Sequence, residues 1–345
     1  MFSLDKHEIQ LILINAALGL IVGAVYTQVF YLSRADAQGA IWLGMGIGAT
    51  IGISISFFEL VLVGRPDAPL RKLGFWKSLL ARTLTHILFI IISIFAWQYL
   101  YQITTGVPIV LLNADVSDTV TDLGFSFSVV LVIIFYMQMR LFIGGRTLRN
   151  LIFGKYHTPQ VEERIFMVCD MVGSTAYAQK EGDVRFHRLL NEFFALLDEP
   201  IHRRGGEVHS YVGDALFAVW PVSANPGDNS RVLQALSEAQ TLIQRSEDRF
   251  QQSFNTHPQL RVAIHKGSVV VGETGYRKRQ ITYLGNTVNT VARIESLTKT
   301  GIGTFLASSE FVSITTIPEN ISIIEIGEFD IKGVTDPIEL HRIEL

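Results

Sequence analysis

The sequence predicts an α-helical membrane domain of four spans followed by an α+β domain in which helices cover one mixed sheet. Three observations carry this expectation. Four apolar segments, each near the roughly 20 residues a helix needs to cross hydrocarbon, crowd the first part of the chain. The 345 residues are 48% hydrophobic with a mean hydropathy of +0.31, too apolar for two ordinary soluble domains. Beyond Arg164 the pattern changes to short strand-like runs alternating with helical periodicity. The expected divisions are a membrane domain over 1–144, a cytoplasmic connector over 145–163 and a second domain over 164–345.

The spans fall approximately at Ile9 to Leu32, Ala40 to Val63, Leu79 to Tyr101 and Phe125 to Ile143. Lys and Arg set their orientation. The second linker carries Arg65, Arg71, Lys72 and Lys77, and the segment after the last span carries Arg140, Arg146, Arg149 and Lys155, so both are expected in the cytoplasm. The third linker, Gln102 to Gly124, has Asp115, Asp118 and Asp122 but no Lys or Arg, and the first offers only Arg34; these are expected outside. Both termini are then cytoplasmic, in a multi-pass protein of the inner (plasma) membrane. Met1 to Glu8 has no basic n-region, and the apolar stretch after it is too long for a signal peptide, so it reads as an uncleaved span. Val107 to Leu112 is too short for a fifth span.

Glu59 and Arg82 are expected near the cytoplasmic interface, snorkelling to water, with His86 one turn from Arg82 packed as a neutral histidine. Ligand sensing is the other reading of the three. His86 is the only histidine inside a span, so no haem is expected there. Gly44-x-x-x-Gly48-x-x-x-Gly52 in the second span permits close helix approach, within the chain or between protomers.

Composition also excludes some functions. A formal net charge of -3 without a basic, aromatic-interleaved patch argues against a nucleic-acid partner. The single cysteine, Cys169, cannot form an internal disulfide, and no Cys/His spacing suits a structural zinc. With no histidine beside it in a recognisable pattern, Cys169 reads as buried core.

From Gly144 to Arg164 a polar, basic stretch with Gly154, His157 and Pro159 reads as a short helical extension and a stiff connector. Arg164 to Asp170 is a buried strand. Asp183 to Arg204 is a helix whose apolar face is Phe186, Leu189, Leu190, Phe193, Phe194 and Leu197, ended by Gly205-Gly206. Glu207 to Val212 and Ala215 to Trp220 form two strands around a tight Gly213-Asp214 turn, and Ser230 to Phe254 a second long helix. Leu260 to Gly272 and Gln280 to Leu284 make a hairpin with a charged tip of Arg277, Lys278 and Arg279, before a helix from about Thr287 to Leu297. This is a split strand-helix-strand pattern.

Two carboxylates stand out on it. Asp170 ends an apolar strand and precedes Met171-Val172-Gly173-Ser174-Thr175, whose amides and hydroxyls suit an anion at a helix N-terminus. Asp214 lies in a hairpin turn expected beside that strand, so both oxygens can converge on Mg²⁺ or Mn²⁺. Taken singly, each is more often a cap or turn former. Asn289 and Arg293, four apart on one helix face, offer an amide and a fork of donors for ribose and phosphoryl oxygens; the plainer reading has Arg293 pairing on the surface with Glu295.

From about Arg164 onward the sequence resembles the class III adenylate/guanylate cyclases. Phe166 through Thr175 is similar to that family's first metal motif, and Gly205-Gly206 with Tyr211 through Ala215 to its second. Ile264-His265-Lys266-Gly267 through Gly275 resembles its dimer-arm strand, and Gly285-Asn286-Thr287-Val288-Asn289 with Arg293 its transition-state helix. The resemblance implies a ferredoxin-like catalytic domain and a homodimer with shared sites. Asp170, Asp214 and the Met171 carbonyl would hold two metal ions in one protomer, and the other would contribute Asn289 and Arg293. Gly173, Ser174 and Thr175 would cradle phosphates. Ser210 stands where adenylate cyclases commonly carry a base-reading lysine, Thr282 fits a threonine subclass of them, and Lys332 lies in a segment similar to one that supplies a triphosphate-binding lysine. The implied reaction is ATP to 3',5'-cyclic AMP and diphosphate at the face of a lipid-embedded anchor whose ligand or partner is unspecified. The alternatives are a guanylate cyclase and a non-catalytic membrane receptor or scaffold.

Overall fold

A computed structural model describes residues 6–31, 37–62, 70, 73–106, 124–125, 127–129, 131–136, 139, 143–277, 279–331, 333–334 and 336–345. The chain divides into two compact units, Met1–Gln138 and Met139–Leu345.

In the first unit three helices are long and apolar enough to cross a membrane. They are α1 (Lys6–Tyr31), α2 (Ala37–Leu62) and α3 (Phe75–Thr105), with apolar stretches Ile9–Val29, Ile41–Leu60 and Trp76–Thr104 of mean hydropathy 2.1, 1.7 and 2.1. Their outer faces expose large apolar side chains such as Leu13, Val25, Trp42, Leu84 and Phe95, the pattern of helices solvated by hydrocarbon. Of the fourth expected span, residues 127–129 and 131–136 are helical, and much of the remainder lies outside the described residues. Outside them too are Arg34, Arg65, Arg71, Lys72, Val107 to Leu112 and the three linker aspartates.

The glycine stripe of α2 packs within the chain, against α1. A Cβ on Gly48 would lie 2.0 Å from the Gly19 carbonyl oxygen, and one on Gly52 2.2 Å from that of Asn15. Only hydrogen fits at such a crossing, which lets the two backbones touch and replaces a hydrophobic driving force that lipid cannot supply. Asn15 Nδ2 donates to Ser56 Oγ across the same contact at 2.7 Å.

Glu59 and Arg82 depart from expectation, while His86 is packed as expected. They do not reach out to an interface: Glu59 is 7%, Arg82 3% and His86 0% exposed. Glu59 of α2 faces Arg82 and His86 of α3, with His86 Nε2 3.3 Å and Arg82 Nη1 3.7 Å from its carboxylate oxygens. In lipid, mutual neutralisation between neighbouring helices is the alternative to snorkelling.

The second unit begins with a short helix, α4 (Gly145–Ile152), tied to the next domain by Thr147 Oγ1 donating to Glu207 Oε1 at 2.7 Å. Strand β1 (Gln160–Met171) starts four residues before the expected Arg164, because β4 (Leu260–Thr274) is long enough to pair Gln160 to Glu163 with Val271 to Ser268. The polar Gln-Val-Glu-Glu sequence hides this end of the strand. After β1 come α5 (Ser174–Glu181), α6 (Asp183–Arg203), β2 (Glu207–Val212) and β3 (Ala215–Pro221). The single helix expected from Ser230 to Phe254 is two, α7 (Arg231–Arg245) and α8 (Glu247–Phe254). They break at Ser246 (φ -98°, ψ 2°), whose N–H turns back to the carbonyls of Leu242 and Ile243. The chain continues through β5 (Gln280–Leu284), α9 (Asn286–Leu297), β6 (Phe305–Ser308), β7 (Ser322–Phe329) and β8 (Ile338–Glu344).

The eight strands form one mixed sheet in the order β2-β3-β1-β4-β6-β8-β7, with β5 paired to β4. Alternation along central β1 builds a core on each face. Ile165, Met167, Cys169 and Met171 pack with Leu189, Phe193, Leu197 and Ile201 of α6 and with α7. Phe166 and Val168 pack with Val291 and Ile294 of α9 on the opposite face. Cys169 is a buried core residue whose thiol pKa burial pushes far up.

The glycine crossing makes a prediction. Gly48→Val should destabilise the α1–α2 pair by about 1–3 kcal/mol or more through overpacking. Thermal unfolding of the purified protein in detergent should show an earlier membrane-unit transition. Gly74→Ala, where a Cβ meets nothing within 4 Å, should leave it unchanged.

Candidate functional site

Asp170 occupies the last even position of β1, on the face that carries Phe166 and Val168. It sits directly across from Ala215 in β3 and Arg261 in β4. Because Ala215 follows Asp214, this register brings the β2–β3 turn beside the end of β1. Gly213 (φ +62°) takes the left-handed conformation that closes that turn. After Met171, whose side chain is buried in the core, Val172 N–H bonds to the Gln259 carbonyl at 2.9 Å and Gly173 (φ +75°) swings the chain into α5. Ser174 opens α5, is itself buried, and donates its hydroxyl to Asp214 Oδ2. Thr175 beside it is exposed. Asp170, Asp214, Gly173, Ser174 and Thr175 are thus brought to one end of the sheet.

The electrostatics there are unbalanced. Asp170 is 3% exposed, and its carboxyl pKa is pushed up to about 6, first by burial and then by the negative charge of Asp214. Lys299, in the single 3-10 turn after α9, pulls the other way. Its Nζ lies 3.2 Å from Asp170 Oδ2 and 3.0 Å from Glu295 Oε1, and these two carboxylates hold its own pKa up against burial. One ammonium thus faces two buried carboxylates, with Asp214 close by. Sequence reasoning missed Lys299. The Glu295 to Lys299 spacing signalled an i,i+4 pair, but nothing local pointed to Asp170. An oxygen-only donor set with an under-neutralised buried carboxylate fits a hard divalent cation such as Mg²⁺ or Mn²⁺.

Helix α9 carries the second group. Thr287 Oγ1 donates to the Ser268 carbonyl at 2.7 Å, fixing the start of the helix, while Thr290, Val291 and Ile294 bury its inner side. Asn289 is exposed. Arg293 does not pair with Glu295, which goes to Lys299. Its guanidinium lies beside Gly333, where a Cβ would come within 2.9 Å of Nη1, and that nitrogen is buried without a hydrogen-bond partner. Among the described residues no hydrogen bond or ion pair joins Asn289 or Arg293 to Asp170, Asp214 or Ser174. Thr282 stands on β5 with its hydroxyl 2.6 Å from that of Thr274 and 3.4 Å from the Gly272 carbonyl. Ser210 is on β2 opposite Phe217, just past a register shift. Lys332 lies outside the described residues; Val334 beside it packs against the α9-side core.

The chain is 34% identical over 201 residues to the adenylate cyclase 2 of Rhizobium meliloti (strain 1021), a match covering 58% of this chain and 55% of that protein. It is 29% identical over 184 residues to the adenylate cyclase of Anabaena cylindrica, covering 52% of this chain and 36% of that one. The chain therefore spans about half or less of the length of these relatives. The structure of a bacterial light-regulated adenylyl cyclase shares the fold, with a TM-score of 0.55 at 17% identity over 67% of this chain and 66% of that chain. Residues 157–344, more than half of the chain, match the adenylate and guanylate cyclase catalytic domain, and the chain belongs to that family.

Proposed function

We propose that this protein is a membrane-anchored adenylate cyclase, converting ATP to 3',5'-cyclic AMP and diphosphate at sites shared across a homodimer. The observation that carries the reading is the buried, under-neutralised Asp170 beside Asp214 and the Ser174 hydroxyl. Asp170, Asp214 and the Met171 carbonyl hold two divalent ions, Mg²⁺ or Mn²⁺, which supply charge neutralisation on the triphosphate and a lowered pKa for the ribose 3'-hydroxyl. Gly173, Ser174 and Thr175 present amides and hydroxyls to the β- and γ-phosphates. The 3'-hydroxyl gives up its proton to water, the 3'-oxygen forms a bond to the α-phosphorus as the bond to the bridging oxygen breaks, and diphosphate leaves with that oxygen.

Arg293 supplies donors to the charge that develops on the α-phosphoryl oxygens, and its buried, unpartnered Nη1 supports this role. Asn289 orients the ribose. Thr282 accepts from the adenine amino group, Ser210 lines the base pocket, and Lys332 reaches the triphosphate. The absence of contacts between the Asp170 group and Asn289 or Arg293 among the described residues favours sites completed by a second copy. Exposed Tyr211, Val212 and Leu284, which adjoin the two groups in sequence, offer apolar surface to that copy. The catalytic domain is an α+β ferredoxin-like fold whose sheet begins at Gln160, ahead of the expected 164, joined by a short connector that includes α4 to the membrane domain. That domain has four spans, the last including the helical residues 127–129 and 131–136, with both termini cytoplasmic.

Purified full-length protein with Mn²⁺ or Mg²⁺ should turn over ATP faster than GTP when both are measured in one assay. Faster GTP turnover would make it a guanylate cyclase, and turnover of neither would favour a non-catalytic scaffold. Asp170→Asn and Asp214→Asn should each abolish product formation. Arg293→Ala should lower kcat by about 10²–10³, the usual effect of deleting one donor to developing charge.

Asp170 also sets a pH dependence of stability. Its folded-state pKa of about 6 lies above the ordinary 3.8, so the metal-free fold binds this proton more tightly than the unfolded chain does. The associated stability is fully present below pH 3.8 and is lost as pH rises through 6. Asp170→Asn, which never ionises, should therefore unfold later than wild type in EDTA at pH 8, by roughly 2 kcal/mol, with the difference vanishing near pH 4. Thermal melts at the two pH values measure it.

A further inference from the structure

Lys299 has no part in the reading above, yet it makes the one ion pair with Asp170 among the described residues. Its Nζ lies 3.2 Å from Asp170 Oδ2, within the range of a charge-assisted hydrogen bond or a loose ion pair. The backbone beneath it is fixed by Thr298, whose hydroxyl donates to the Glu295 carbonyl at 2.6 Å and which is itself buried. The side chain is half exposed, with Glu295 as a second acceptor 3.0 Å away. A flexible four-carbon stem between two carboxylates, one of them nearly sealed from water, lets the ammonium shift between acceptors without moving the fold.

We propose that Lys299 is a positioning residue for the metal site: an internal counter-ion that pairs with Asp170 Oδ2 when no metal is bound, and that yields this oxygen to a divalent cation by withdrawing to Glu295. The inference rests on the assignment of Asp170 as a metal ligand. Its physical content is competition. A buried carboxylate next to Asp214 carries a desolvation cost that some cation must offset, and Lys299 offsets part of it from within the chain. A metal ion binding there must displace that ammonium and sit close to its charge. Glu295 makes the displacement feasible by giving the ammonium a partner to return to. The sheltered Asp170 and the half-exposed Lys299 thus give the site a resting state in which the buried carboxylate is paired.

The test is Mn²⁺ binding to the nucleotide-free full-length protein, read as loss of the free Mn²⁺ EPR signal, which needs no turnover. Lys299→Met should tighten the Asp170-dependent site several-fold to about tenfold. Lys299→Arg, which keeps the charge, should stay near wild type, and Lys299→Gln should follow Lys299→Met, covering the case in which one variant folds poorly. Glu295→Gln should weaken Mn²⁺ binding, because Lys299 then has only Asp170 to bond. In the Lys299→Met background that effect should shrink towards zero, whereas simple loss of a nearby negative charge would persist unchanged. Unaltered or weaker binding in both Lys299→Met and Lys299→Gln overturns the proposal, as does a Glu295→Gln effect of equal size in both backgrounds. Asp170→Asn separates this failure from that of the underlying reading: if Mn²⁺ binds Asp170→Asn as it binds wild type, the metal assignment itself is wrong.

Discussion

A carboxylate is held at the end of the central strand, on a face that is otherwise hydrophobic, and the rest of the catalytic unit is arranged around its cost. Asp170 follows Phe166 and Val168 on the α9 side of the sheet and is almost entirely shielded from water. Its neighbours are the ones such a charge requires. The β1–β3 register brings Asp214 alongside, α5 starts with a hydroxyl already given to Asp214, and the turn after α9 delivers an ammonium. Two carboxylates and one lysine leave the site short of positive charge, as the raised Asp170 pKa reports. On the proposed reading, divalent ions bound between protein oxygens and a triphosphate would close that deficit.

The membrane unit meets an analogous problem differently. Its helices are long and apolar enough to cross a membrane, and α1 and α2 associate through glycine contact and one interhelical hydrogen bond, contacts that hold without a hydrophobic driving force. The charges of α2 and α3 neutralise one another instead of recruiting a cation from outside. Glu59 meets Arg82 and His86 between neighbouring helices, as Asp170 meets Lys299 in the second unit.

Much of this was legible from residue order. Strand alternation around Asp170 and the Gly213-Asp214 turn are local patterns with a single good physical solution, and the structure places each as that solution demands, while the glycine spacing of α2 left open a contact within the chain or between protomers and is used within the chain. Where the sequence misled, tertiary partners decided. Gln160 to Glu163 look like a polar linker and become strand only because β4 extends far enough to pair with them. Ser246 sits in an unbroken helical period yet ends α7. Glu59 and Arg82 look like snorkelling residues until the helices are seen to face them towards each other. Lys299 was invisible as a partner of Asp170, since the two are remote in sequence and meet only because α9 packs across β1 and β4.

On the proposed reading, Asp170 and Arg293 act in one site but come from different protomers. Coexpression of Asp170→Asn with Arg293→Ala tests it most directly. Each variant alone should be nearly inactive. Random pairing should leave half of the dimers with one intact site of two, restoring about a quarter of wild-type cyclase activity. No recovery in demonstrably mixed dimers would contradict the account.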